Sequence, residues 1–178
     1  MKVLGIDPGY DRLGLAVIEK TVDGREQVIF STCLATSPTL DFGERLLFLI
    51  NKIEQAIKKY RPDLLAIEKI FFASNHKTAI AVAEVRGAIL YLAKKLKIPV
   101  LNLTPLEVKS AITGYGQADK TQVKFMVQKL LRLSQPIKQD DEADALAIAL
   151  TGLSRAVISN YPQSVRATLA KKTRYAKK

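Results

Sequence analysis

Acidic residues directly follow two of the apolar segments in this sequence. Asp7 comes after the apolar residues 3–6, and Glu68 comes after the apolar run 64–67. Short apolar runs of this kind are typical of strands that are covered on both faces, and open α/β sheets bind their ligands at the carboxyl ends of such strands. If these two strands are parallel neighbours, their carboxylates lie side by side.

A second acidic pair stands at the start of the last predicted helix. Asp141 and Asp144 are three residues apart and so share one face, whereas Glu142 between them points elsewhere. Four converging carboxylates repel one another unless a cation or a shared proton compensates. Because His76 and Cys33 are the single histidine and cysteine, the donor set suits Mg²⁺ or Mn²⁺ and not zinc. Two such ions could activate water for phosphodiester hydrolysis.

Each acid also has an ordinary structural explanation. Acidic residues after strands are often turn formers, and Asp141 could cap the helix that it begins. The combination of two strand-end acids with an acidic pair on one helix face favours the metal site. Asp63 precedes its strand, so we predict a turn residue at the opposite end of the sheet from Glu68. Asp11 and Asp140 lie near the predicted cleft and could be bystanders or supporting groups.

The chain is strongly basic. Its 178 residues include 28 Lys plus Arg and 17 Asp plus Glu, which gives a net charge of +11. A potential of this sign attracts polyanions, so nucleic acid or an anionic membrane surface becomes the leading partner class. No acidic residue follows Asp144. We predict one domain over residues 1–156 and a basic, flexible tail over residues 157–178 that adds non-specific affinity for a polyanion.

The elements that must position the acids follow from the hydrophobic pattern. Strands are predicted over residues 2–6, 13–19, 27–34, 64–67 and 99–103. Helical spacing is predicted over residues 41–60, 75–96, 119–133 and 141–158, with a further helix that begins at the Thr104 cap and ends before Gly114. Three consecutive strands followed by strands that alternate with helices predict an α/β fold with a mixed five-stranded sheet and helices on its faces.

Two further observations concern location and the lone thiol. A carboxylate at position 7 interrupts the first apolar run too early for a signal peptide, and the uncharged stretch 145–154 is too short to cross a membrane. We therefore expect a soluble, cytoplasmic protein with no membrane partner. Cys33 has the apolar neighbours Phe30 and Leu34 and is predicted to be a buried strand thiol.

Four segments, taken together and in order, resemble the RuvC family of Holliday-junction resolvases. The resemblance runs from residue 1 to about residue 155, and it is carried by residues 5–9 (GIDPG), 66–71 (AIEKIF), 108–123 (VKSAITGYGQADKTQV) and 141–149 (DEADALAIA). The first segment alone also resembles the opening of sugar kinases and actin-like ATPases. Tyr10 and Asp11 depart from the smaller or basic residues that are common after the Asp-Pro-Gly turn.

The resemblance implies an RNase H-like fold and a homodimeric, Mg²⁺-dependent endonuclease. Such an enzyme resolves four-way (Holliday) DNA junctions by paired symmetric nicks during recombination and repair, alongside the RuvA–RuvB branch-migration complex. The family's four catalytic, metal-binding acids fall on Asp7, Glu68, Asp141 and Asp144. Two ions per active site are expected, with Mn²⁺ able to replace Mg²⁺.

The resemblance also implies DNA-binding residues. Phe71 corresponds to the aromatic residue near the crossover, and Lys109 and Lys120 correspond to basic residues that approach DNA. Without the resemblance, Phe71 could equally pack into the core, and both lysines could be merely solvated. Asn75 could cap the following helix or reach a base edge.

The helix over residues 75–96 has one predicted core face, and the resemblance implies that the helix also forms part of a two-fold interface. That face contains Val82, Val85, Ile89, Leu92 and Leu96. Three other functions remain open: an RNase H-like nuclease of the YqgF type that acts on RNA, a junction-binding protein without catalysis, and an actin-like nucleotide-binding module. Chain length, the 109–120 segment and Phe71 favour RuvC over the first, and the presence of all four acids disfavours the second.

Overall fold

The computed structural model describes residues 1–70 and 76–157. These residues form five strands and five helices. The strands are β1 (Lys2–Asp7), β2 (Arg12–Lys20), β3 (Glu26–Ala35), β4 (Leu64–Glu68) and β5 (Val100–Leu103). The helices are α1 (Phe42–Tyr60), α2 (His76–Lys95), α3 (Pro105–Thr113), α4 (Lys120–Leu130) and α5 (Asp140–Val157). Among the described helices, none combines the length and apolar character that a membrane crossing requires.

The five strands form one mixed sheet in the order β3-β2-β1-β4-β5. β1 and β3 each pair with β2 in antiparallel fashion, and β4 runs parallel to both β1 and β5. The predicted mixed five-stranded sheet is therefore confirmed. In the β1–β4 ladder Ile6 is opposite Ile67, so Asp7 and Glu68 follow at the same edge of the sheet.

Helices cover both faces of the sheet, as predicted. Val3 and Ala66 face α3, α4 and α5, where they pack in a core with Val108, Val127 and Ala145. The alternate strand residues point to the opposite face, where the core contains Leu4, Ile6 and Ile67 from the strands and Leu49, Ile53, Val85 and Ile89 from α1 and α2. Because successive side chains of a strand alternate between faces, an uninterrupted apolar strand supplies both cores.

Two glycines allow α5 to lie directly on β1 and β2. A Cβ atom at Gly14 would lie 1.8 Å from the backbone oxygen of Asp141, and a Cβ atom at Gly5 would lie 2.3 Å from that of Ala145. Any larger residue at either position would displace the helix. The first turns of α5, which carry Asp141 and Asp144, are thereby held close to the strand end that carries Asp7.

Most element boundaries agree with the sequence predictions because local capping fixes them. Asp41, Thr104 and Asp119 each form a capping box with the residue three positions later. α5 begins one residue earlier than predicted, and α4 ends three residues earlier, because the segment after Leu130 forms a turn. Cys33 is only half-buried, so the prediction of a buried thiol is wrong; its strand β3 is at the edge of the sheet.

Candidate active site

Three of the four predicted acids line one cavity at the carboxyl ends of β1 and β4. The cavity has a volume of about 330 Å³ and contains the side chains of Asp7, Glu68 and Asp144 together with Lys109 and Lys120. Its apolar wall consists of Pro105, Val108, Val123 and Ile148. The parallel register of β1 and β4 places the first two acids, and the close approach of α5 places the third.

The carboxylates in this cavity resist ionisation. Burial, together with repulsion by Asp144, Glu68 and Asp141, raises the pKa of Asp7 from 3.8 to about 8. Burial and the charge of Asp144 raise the pKa of Glu68 from 4.5 to about 7, although Lys120 and Lys109 oppose the shift. Burial also raises the pKa of Asp144. Such a concentration of negative charge is typical of a site built for a positively charged ligand.

Asp141 lies at the margin of this site. Its Oδ2 atom is 2.6 Å from Nη2 of Arg12 and 3.6 Å from Sγ of Cys33, and the residue does not line the cavity. It is nevertheless near enough for its charge to raise the pKa of Asp7. The sequence analysis missed Arg12. The one sequence feature that could have indicated its role is its position directly after the loop that follows Asp7.

Lys120 reaches the acids from α4. Its Nζ atom is 3.2 Å from Oδ2 of Asp144, and this carboxylate raises the pKa of the lysine. One turn further along, Nζ of Lys124 is 2.9 Å from Oδ1 of Asp140. Two parallel ion pairs therefore connect α4 to the start of α5, and the first of them lies in the cavity.

The end of β4 is fixed by a residue that the sequence analysis also missed. Nε of Arg86 donates a hydrogen bond of 3.0 Å to the backbone oxygen of Glu68, and Nη2 of the same side chain donates to Oδ1 of Asn102. The backbone amide of Lys69 donates to the backbone oxygen of Leu103 at 2.7 Å. These contacts hold the backbone of Glu68 between α2 and β5.

The other acids have the positions expected of them. Oδ2 of Asp63 accepts a hydrogen bond from the backbone amide of Lys2 at 2.9 Å, at the opposite end of the sheet from Glu68. Asp11 pairs with Arg45. Glu142 turns away from the cavity, since its Oε1 atom accepts a hydrogen bond of 2.5 Å from Oγ of Ser31.

Phe71 and Asn75 lie outside the described residues, so their predicted DNA contacts remain predictions. Lys109 and Lys120 are described, and both border the carboxylates. The cavity thus combines groups that could hold a cation with groups that could hold a phosphate.

The carboxylates fit a hard divalent cation such as Mg²⁺ or Mn²⁺, because the donors are oxygen atoms whose charges repel one another. Among the residues that the structure describes, no three His, Cys, Asp or Glu side chains already enclose a position for a metal ion. Lys120 forms an ion pair with Asp144, and Arg12 forms one with Asp141. Loading the site would therefore require a cation to compete with these two side chains for their carboxylates.

Comparison with known proteins identifies the family. The family model described as "Crossover junction endodeoxyribonuclease RuvC" matches residues 3–152 of the chain. The chain belongs to the RuvC family. It is 46% identical over 150 residues to the crossover junction endodeoxyribonuclease RuvC of Desulforamulus reducens, and the match covers 84% of this chain and 91% of that protein. It is 45% identical to the RuvC of Caldicellulosiruptor saccharolyticus, with coverage of 84% and 90%.

The solved structures of RuvC agree with this assignment. The Thermus thermophilus RuvC structure superposes with a TM-score of 0.81 at 34% sequence identity, and the match covers 89% of this chain and 96% of that one. T. thermophilus RuvC in complex with Holliday junction substrate gives a TM-score of 0.82 at the same identity and coverage. The predicted family and RNase H-like fold are confirmed.

Proposed function

We propose that this chain is a metal-dependent endonuclease that resolves four-way (Holliday) DNA junctions by paired symmetric nicks during recombination and repair. The observation that carries the proposal is the cavity in which Asp7, Glu68 and Asp144 meet Lys109 and Lys120. Membership of the RuvC family supplies the reaction class. The complex of T. thermophilus RuvC with Holliday junction substrate supports the choice of substrate.

The acids would act as cation ligands. RuvC nucleases are metal-dependent; we propose Mg²⁺, replaceable by Mn²⁺, with two ions per active site. Bound divalent cations would stabilise charge on the phosphate and lower the pKa of a bound water. Asp7 and Glu68 must ionise to serve as ligands, so loading at neutral pH would release the protons that burial favours there. Asp141 would join the set only when it leaves Arg12.

The two lysines would hold the DNA backbone. Lys109 is in the cavity wall, and Lys120 reaches into the cavity from α4 with a side chain that is 76% exposed. A phosphate bound there would compete with Asp144 for Lys120. Contacts of this kind fix the position of the strand without reading its sequence. We propose that Phe71 stacks on an unpaired base near the crossover and that Asn75 contacts DNA or caps α2.

A homodimer would present two such sites to two of the four strands of a junction. α2 buries Val85, Ile89 and Leu92 against the sheet and leaves Ile80 (68% exposed) and Tyr91 (70% exposed) on its opposite face. These two exposed apolar side chains on α2 support the proposed two-fold interface. We further propose cooperation with the RuvA–RuvB complex and a cytoplasmic location, where a bacterial chromosome lies.

The basic residues after α5 would add non-specific DNA affinity. We propose a nuclease domain over residues 1–156 and a basic tail over residues 157–178, whose positive charges release counterions from DNA; residues 158–178 lie outside the described part of the chain. A chain that ends at Val157 should bind all DNA more weakly and keep its preference for junctions over duplex.

The decisive experiment incubates the protein with a synthetic four-way junction, a plain duplex and a structured RNA, each with Mg²⁺ or with a chelator. We expect paired nicks in the junction when Mg²⁺ is present and none in chelator. The duplex and the RNA should be cut little in either condition. Cleavage of RNA in preference to the junction would support the YqgF-type alternative. Tight junction binding without cutting in Mg²⁺ would support a binding protein, and either result would overturn the proposal.

A further inference from the structure

A buried arginine on α1 is bonded to the loop that follows Asp7. The Arg45 side chain is 5% exposed, and a buried guanidinium group is costly unless its donors are satisfied. Its Nε atom donates to Oγ1 of Thr36 at 2.8 Å, Nη1 donates to the hydroxyl of Tyr10, and Nη2 donates to Oδ1 of Asp11. The guanidinium carbon also lies 3.6 Å from the centre of the Tyr10 ring.

The same loop is held from its other side. The backbone amide of Thr36 donates to the backbone oxygen of Asp11 at 2.9 Å, and Oγ1 of Thr36 donates to that of Tyr10 at 3.0 Å. The Tyr10 ring stacks on Phe42 with 5.4 Å between ring centres. The loop from Pro8 to Asp11 is therefore fixed between the end of β3 and the first turn of α1.

This loop connects two residues of the candidate active site. Asp7, at its start, lies in the cavity, and Arg12, directly after it, forms the ion pair with Asp141. The turn is tight, since a Cβ atom at Gly9 would lie 1.7 Å from the backbone oxygen of Arg12. A change in the path of this loop would consequently move Asp7 directly, and it would release Asp141 by moving Arg12.

We propose that Arg45 is a positioning residue: through Tyr10 and Asp11 it sets the spacing between Asp7 and the Arg12–Asp141 pair, and so the affinity of the site for its cation. This inference rests on the proposed function. It concerns the residues at which the chain departs from the usual residues after the Asp-Pro-Gly turn. Arg45 also neutralises Asp11, whose exposed carboxylate would otherwise repel DNA beside the site.

The test uses substitutions that keep the shape of the loop. Tyr10→Phe removes one acceptor and retains the ring, and Asp11→Asn removes the charge and retains the volume. The combined variant carries both substitutions and should still fold. Arg45→Lys keeps the positive charge, but its ammonium group cannot donate to all three partners of the guanidinium group. The matched control is Ile53→Val, which weakens the buried face of α1 more than two helical turns after Arg45.

The melting temperature of each variant is measured first. Three further quantities are then compared well below it: junction affinity in chelator, Mn²⁺ affinity of the DNA-free protein by electron paramagnetic resonance, and single-turnover cleavage against Mg²⁺ concentration. For the combined variant and Arg45→Lys we expect about 10-fold weaker Mn²⁺ binding and a higher Mg²⁺ midpoint, with little change in junction affinity. Ile53→Val should lower the melting temperature and leave the Mn²⁺ affinity, the junction affinity and the Mg²⁺ midpoint unchanged.

Equal Mn²⁺ affinity in the combined variant and Ile53→Val would overturn the inference and assign Arg45 a purely structural role. If the wild-type protein binds Mn²⁺ but does not cut junctions, the proposed function fails instead. The Mn²⁺ measurement separates these two outcomes because it needs no substrate.

Discussion

The ammonium group of Lys120 lies 3.2 Å from Oδ2 of Asp144, inside the cavity that also contains Asp7 and Glu68. The pair partly neutralises a site whose other acids resist ionisation. A divalent cation would compete with Lys120 for the carboxylate, and a DNA phosphate would compete with Asp144 for the lysine. We therefore expect this ion pair to separate when the enzyme is loaded with both.

Replacing a cavity acid by its amide should separate cutting from binding. Asp7→Asn or Glu68→Gln removes the charge of one cation ligand, so single-turnover cleavage of a junction in Mg²⁺ should fall by about 10²-fold or more. Junction affinity in chelator should stay the same or rise, because a charge that repels phosphate is gone. The control is Asp23→Asn in the β2–β3 turn, at the opposite end of the sheet. Near wild-type cleavage by Asp7→Asn would show that the cavity is not the active site.

The stability of the cation-free protein should depend on pH through Asp7. Its pKa is about 8 in the folded protein against 3.8 ordinarily, so the folded state binds the proton more tightly than the unfolded state does. The resulting stabilisation is complete below about pH 4 and is lost as pH rises to about 8. The melting temperature of Asp7→Asn should therefore exceed that of the wild type by an amount that grows as pH rises. We expect a difference on the order of 2 kcal/mol, or about 4–8 °C, near pH 8.

Melting curves from pH 5 to pH 8 in chelator, taken on both proteins, measure this difference directly. Groups remote from the cavity titrate equally in the two proteins, so the change in the difference between the two melting temperatures reports Asp7 and the acids that interact with it. Added Mg²⁺ should raise the melting temperature of the wild type more than that of the variant. A difference in melting temperature that stays constant over the whole pH range would contradict the raised pKa of Asp7.

The two cavity lysines should account for part of the salt dependence of DNA binding. Each lysine that contacts a phosphate contributes about 0.9 to the slope of log affinity against log salt concentration, through the release of condensed counterions. Lys109→Ala and Lys120→Ala should each flatten the slope by about that amount. Lys94→Ala, in the last turn of α2, serves as the control. Unchanged slopes for both cavity variants would place the DNA elsewhere on the surface.

Phe71→Ala should slow cutting more than it weakens folding. The residue follows Glu68 by three positions, and a ring that stacks on an unpaired base contributes about 1–3 kcal/mol. If this energy is expressed in the transition state, single-turnover cleavage falls by roughly 5- to 150-fold. A buried phenylalanine would instead lower the stability by about 3–5 kcal/mol on truncation.

The neighbouring aromatic provides the comparison for this prediction. Phe72→Ala is made in parallel, and both variants are measured for melting temperature and for cleavage. We expect the kinetic effect at Phe71 and not at Phe72. A large loss of melting temperature in Phe71→Ala with normal cleavage by the folded fraction would assign that ring to the core.

Local sequence was enough to predict the strands, most helix ends and the acids at the strand ends. Apolar runs and helical spacing depend on neighbouring residues, and capping residues such as Thr104 act within one turn. The four segments that resemble RuvC identified the family for the same reason, since they are short and contiguous. The half-buried state of Cys33 was not predictable, because it depends on β3 being an edge strand.

The sequence by itself determined which residue types end β1 and β4 and begin α5; the tertiary structure decided which of them share a cavity. Asp144 joins Asp7 and Glu68 because Gly5 and Gly14 let α5 approach the sheet. Asp141 pairs with Arg12, and Arg45 pairs with Asp11 in the loop between Asp7 and Arg12. Both contacts join residues that are far apart in the chain. Such contacts form only when the sheet order and the helix packing bring distant segments together, and no local pattern of residues encodes them.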